Sequence, residues 1–206
     1  NSFHFSLSGG EPTFHPGYLD IMKHLADDVD NTNYTSVHMT SNCSRPLKWF
    51  NTYVEHASKF HRASITASLH VEHVNSRDKL QDFADKLIFC QEHDVQVTIN
   101  MVMVPEAFDM YYDNALFFHN QGINVTLKPQ SDPTASKIVN GYSEDQIKLL
   151  HNGMPQRAFT EVKNKYVKRP KPKFPMISEH QTSEQKSVPQ HFQVEFQDST
   201  GKKWYM

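Results

Sequence analysis

The chain has 206 residues, enough for one domain with a real core or for one domain and a tail. Hydrophobic content is 37% and mean hydropathy −0.64, so part of the chain is expected to stay unpacked. A formal charge of −2 makes no global case for nucleic acid or an acidic substrate, and no apolar run approaches membrane-spanning length.

In chain order, short apolar strands alternate with longer helical patterns. The first strand is "FHFSL" (3–7), and the chain starts inside it, at Asn1, with no methionine or signal-peptide pattern, as expected of a fragment. After Pro16, which suits a first helical position, Leu19, Met22, Leu25, Ala26 and Val29 recur at helical spacing. "TSVHMT" (35–40) reads as the second strand, and Leu47, Phe50, Val54 and Ala57 as the next helical face.

"ASITASL" (63–69) is the third strand; Leu80, Phe83, Ala84, Leu87 and Ile88 then make the clearest helix. "VQVTINMVMV" (95–104) is β-rich, a helix follows across about 109–120, and Gly122 is placed to stop it. "INVTLKP" (123–129) is the fifth strand, and Ser143 with Gln146 forms a capping box for a helix through Leu150.

Five strands alternating with helices predict a parallel α/β sheet or barrel over residues 1–160. The segments after each strand are polar, and in such folds those loops share one rim and build the site. Residues 161–190 read as a basic, proline-containing linker or excursion. Within it, 163–174 holds six basic residues, no acidic ones and two prolines. Residues 191–206 read as a β-hairpin-like segment or as the start of a further domain.

Glycine is scarce, seven residues in all, yet Gly9 and Gly10 stand together between a strand and a helix, followed by Glu11 and Pro12. Such a pair marks a place where something approaches the backbone closely. "LSGGEPTFHPGYLDIM" resembles the GGEP segment of radical S-adenosylmethionine (SAM) enzymes, and the order of elements over roughly 3–130 is similar to theirs. The resemblance implies a partial (β/α)6 TIM-like barrel of the radical SAM type with its first β/α unit missing. It also implies SAM bound against a [4Fe–4S] cluster and a 5′-deoxyadenosyl radical that abstracts a hydrogen atom.

By that resemblance Gly9, Gly10, Glu11 and Pro12 line the site of the SAM amino group, with Glu11 acting through strand-end structure as much as by contact. "TSN" (40–42) contributes Ser41 and the preferred contact Asn42; "SLH" (68–70) contributes Ser68 and His70, toward the ribose or carboxylate. "INMV" (99–102) contributes Asn100, and "LKPQ" (127–130) brings Lys128 and Gln130 near the adenine edge, mostly through backbone. The catalytic residues stay unassigned. The implied partners are a reductant such as flavodoxin or ferredoxin and an unidentified substrate, whether small molecule, peptide or RNA base, in the cytoplasm.

The chain departs from the family in lacking a CxxxCxxC loop. Cys43 and Cys90, 47 positions apart, cannot stand in for three thiolates, so the cluster ligands are expected outside this chain. It is then a fragment of an enzyme, inactive alone, or a degenerate homologue without a cluster. The alternatives are a catalytically silent SAM-fold binding module and an unrelated α/β barrel enzyme.

Thirteen histidines invite a metal reading, but "HVEHVN" (70–75) has no common zinc spacing, and no metal ligand is assigned. His15 with Pro16 is expected to begin a helix, and Phe14 and Tyr18 to pack. The basic run has one aromatic, Tyr166, and no base-reading module, so a solvated linker is preferred to nucleic-acid binding.

Overall fold

The computed structural model describes residues 2–29 and 33–155 and the two short strands 195–197 and 203–205. Five strands, β1 (Ser2–Leu7), β2 (Tyr34–Ser41), β3 (Arg62–Leu69), β4 (Val95–Met103) and β5 (Asn124–Pro129), form one parallel sheet in the order β1-β2-β3-β4-β5. Helices α1 (Tyr18–Asp27), α2 (Leu47–Ala57), α3 (Arg77–Glu92) and α4 (Phe108–Asn120) make the crossovers, and α5 (Glu144–Asn152) follows the last strand. Each strand pairs with the next in sequence, with no reversal of the kind that defines a doubly wound sheet.

All apolar burial gathers on one side. Val37 and Met39 of β2, Ile65 and Ala67 of β3, and Val97, Ile99 and Met101 of β4 alternate along their strands and share one core. That core also holds Met22, Phe50, Leu87 and Phe118 from the helices. The parallel register keeps these residues level across strands: Met39 pairs with Ile65, Ile65 with Val97, Ile99 with Val125. The opposite face is polar, although sheets of this type are usually apolar on both faces.

Local signals account for most element ends. Ser76 caps α3 by accepting the Lys79 N–H, the Ser143–Gln146 capping box opens α5, and Gly122 turns the chain after α4 at φ 89°. The first helix differs from expectation. Pro12–Phe14 form a 3-10 turn, and α1 begins only at Tyr18, behind Gly17. His15 and Pro16 therefore lie in the connection, where His15 Nδ1 accepts the Gly17 N–H at 3.2 Å. Tyr18 packs in the core as expected, whereas the 3-10 turn faces Phe14 outward, 59% exposed beneath the Arg45 guanidinium.

Contacts divide the chain into residues 1–171 and 172–206. In the second unit β6 (Glu195–Gln197) pairs antiparallel with β7 (Lys203–Tyr205). The basic run lies outside the described residues. Among the described residues no helix is long and apolar enough to cross a membrane.

The two-faced sheet makes a testable contrast. Ile99→Ala is expected to cost about 2–5 kcal/mol, and Asn100→Ala, one residue on but across the sheet, within about 0.5 kcal/mol. Urea unfolding of the two variants measures both; equal losses would contradict the assignment of faces.

Candidate functional site

Because the strands are parallel, the ends of β1, β2, β3 and β4 and the loops after them lie at one edge of the sheet. At the β1–β2 corner of that edge the Glu11 side chain organises the backbone. Its Oε1 accepts the Thr13 N–H at 3.1 Å, the Thr13 hydroxyl at 2.7 Å and the Ser41 hydroxyl at 2.9 Å, while Oε2 accepts the Asn42 N–H at 2.6 Å. Partial burial opposes the charge, yet the Asn42 and Thr13 backbone N–H groups and the Thr13 and Ser41 hydroxyls outweigh it, so the Glu11 pKa is lowered. Arg45 braces the same turn from outside, donating to the Thr13 carbonyl from Nε at 2.9 Å and from an NH2 nitrogen at 2.7 Å.

Both oxygens of Glu11 are thus used to join the loop after β1 to the end of β2. Its role is to hold the corner, and Ser41 serves the same brace: it is 2% exposed and also accepts the Cys43 N–H. The direct contact expected of Ser41 is therefore corrected to a supporting one. Pro12 likewise sits inside the 3-10 turn that Glu11 caps. Sequence reasoning missed Thr13 and Arg45; Thr13, two residues after Glu11, is a signal of the side-chain-to-backbone turn that Glu11 makes.

The brace leaves the glycines open. Gly9 has φ +149°, a conformation other residues rarely adopt, and a Cβ added at either Gly9 or Gly10 would meet nothing within 4 Å. Gly10 needs no special backbone angle, so the fold itself does not require glycine there. Next to them Asn42 is half-buried, with Oδ1 accepting the Ser44 N–H at 3.0 Å and its amide nitrogen left to donate.

The polar face continues from this corner in rows. His4 with Ser36, His38 with Ser64 (2.8 and 2.9 Å between their polar atoms) and Arg62 with Gln96 (3.0 Å) are paired among themselves. Toward the rim the rows change character. Thr66 lies beside Thr98, and Ser68 beside Asn100 and then Thr126. Thr66, Ser68, Thr98 and Asn100 are half-buried, and their side chains make no hydrogen bond among the described residues. Ser68 and Asn100 were expected from the resemblance; Thr66 and Thr98 were legible as the polar half of the period-2 alternation in "ASITASL" and "VQVTINM".

The remaining expected residues fall elsewhere. His70 lies past the end of β3, exposed and 3.3 Å from Glu72, beside a cleft of roughly 280 Å³ that also touches Asn42, Cys43 and Lys86. Lys128 continues the polar face on β5, level with Val102. Gln130 closes its own loop: its N–H donates to Tyr142 Oη at 2.7 Å and its carbonyl accepts the Val139 N–H at 3.0 Å, which engages the backbone expected at the adenine edge.

Cys43 and Cys90 are both buried, and burial together with the Glu11 charge pushes the Cys43 thiol up to about 12. Burial raises Cys90 as well. Two inert thiols do not fit a [4Fe–4S] cluster, and among the described residues no group of three His, Cys, Asp or Glu side chains could hold a metal. Neither a family model, nor a curated protein, nor a solved structure matches the chain.

The Glu11 brace has a signed pH dependence. A carboxylate whose folded pKa is lowered stabilises fully above its unfolded value, near 4.5, and loses that contribution as pH falls through the lower folded value. Stability of the wild-type chain is expected to drop below about pH 4.5 more steeply than that of Glu11→Gln. Urea midpoints between pH 3 and pH 7 read this directly, and parallel curves would remove Glu11 from the account.

Proposed function

We propose that this chain is the SAM-binding part of a radical SAM enzyme, its sheet being most of a partial parallel barrel of that type. The observation that carries the reading is the corner itself: a GGEP sequence whose glutamate is consumed in bracing, so that two bare peptide units stand open beside Asn42. A SAM ammonium needs acceptors at close range, and peptide carbonyls without a Cβ in front of them suit it. The Asn42 amide nitrogen, which donates to no partner among the described residues, supplies a further contact for the SAM carboxylate. Consecutive strand order, with every helix on one face, agrees with a sheet that curls toward closure.

In this reading the whole enzyme abstracts a hydrogen atom from its substrate after SAM cleavage. The cluster such chemistry requires is not one that Cys43 and Cys90 can hold, and this chain's residues bind and orient the cofactor only. A reductant such as flavodoxin or ferredoxin would serve the complete enzyme.

SAM titrated into the chain by calorimetry is expected to bind saturably. Gly10→Ala is expected to weaken binding by about tenfold or more while unfolding at the wild-type temperature, since the added methyl meets only open space. No SAM binding, or an unchanged affinity in Gly10→Ala, would reject the reading. Anaerobic assay of the full-length enzyme for 5′-deoxyadenosine separates catalysis from silent binding.

A further inference from the structure

The polar face of the sheet is uniform in the sign of its charges. Its ionic side chains among the described residues are Arg62 and Lys128; burial, with His4 and Arg62 beside it, lowers the His38 pKa and favours its neutral form, and no carboxylate shares their rows. The carboxylate at its corner, Glu11, has both oxygens committed to the brace. We propose that the β3–β5 part of this face binds the carboxylate or phosphate group of a small-molecule substrate, with Lys128 as its counter-charge. The proposal deepens the SAM reading and rests on it for the claim that this ligand is the substrate.

Three observations converge. The rows toward the rim offer Thr66, Ser68, Thr98, Asn100 and Thr126, whose side chains make no hydrogen bond among the described residues; the rows below them are closed by His38–Ser64 and Arg62–Gln96. On β3 and β4 the unused capacity therefore lies in the rows toward the rim. Lys128 stands next in line on β5, exposed, with neither an ion pair nor a hydrogen bond from its ammonium among the described residues. An anion entering there meets hydroxyl and amide donors and the Lys128 ammonium, unpaired among the described residues, whereas an amine meets like charge.

The spacing leaves room for two ligands. Neighbouring strands lie about 4.8 Å apart, so the Asn42 corner on β2 and Lys128 on β5 are separated by roughly 14 Å across the sheet. SAM, with a sulfonium, an ammonium and one carboxylate, carries net positive charge. Seated at the glycine corner it adds to the attraction for an anionic substrate and to the repulsion of a cationic one.

The test uses the full 206-residue chain and three probes, succinate, inorganic phosphate and putrescine, titrated by calorimetry with and without SAM. Succinate or phosphate is expected to bind saturably and putrescine not. Lys128→Gln should weaken the anion by about tenfold, Lys128→Arg should retain it, and Asn100→Ala should weaken it at unchanged unfolding temperature. No saturable binding of either anion, equal binding of putrescine, or an unaffected Lys128→Gln would overturn the proposal. Anion binding without SAM binding rejects the cofactor reading alone, and SAM binding without anion binding rejects the anion site alone.

Discussion

The carboxylate of Glu11 is the constraint on which the candidate site depends. It accepts four hydrogen bonds from three residues, two of them on the far side of a strand-to-strand gap. Hydrogen bonds to an ionised acceptor are stronger than neutral ones, and here they offset the cost of partial burial. Arg45, in the loop after β2, adds a second tie, donating to the Thr13 carbonyl and lying over the Phe14 ring. Gly9 and Gly10 are exposed and a Cβ added at either would meet only open space, so their position is set by β1 before them and by the braced turn after them.

The second organising fact is the separation of the sheet into two faces of opposite character. Helices cover one face with a continuous apolar core, which leaves hydroxyl, amide and imidazole groups to line the other. Exposed polar residues there cost little when solvated, but an ordered parallel lattice of them is a surface with fixed spacing. The pairs His4–Ser36, His38–Ser64 and Arg62–Gln96 spend their hydrogen-bonding capacity on each other, and Thr66, Ser68, Thr98 and Asn100 toward the rim keep theirs. The same edge carries the braced corner, so glycine backbone and unbonded side chains are presented together.

Most of the architecture was readable because it is written in short-range pattern. The strand at 95–104 and the helix at about 109–120 emerged as Val95–Met103 and Phe108–Asn120, since alternation and helical periodicity each act within a few residues. The capping box at Ser143 is equally local. The start of α1 was misread: Pro16 suits a first helical position, but the Glu11 cap drew Pro12–Phe14 into a 3-10 turn first and delayed the helix to Tyr18. Ser41 was assigned to ligand contact by its neighbours in "TSN", although in strand alternation it shares the core face with Val37 and Met39.

By itself the sequence determined the order of elements, their approximate limits, and the presence of an open glycine pair before a helix, because those follow from covalent neighbours and side-chain period. Only the tertiary structure decided what Glu11 does, since its partners Ser41 and Asn42 lie 30 and 31 residues away and meet it through the pairing of β1 with β2. It also decided that Cys43, in a loop, is buried, and that Thr66, Ser68, Thr98 and Asn100 stand side by side. Strand register is set by packing across the whole core, and no single stretch of sequence carries it.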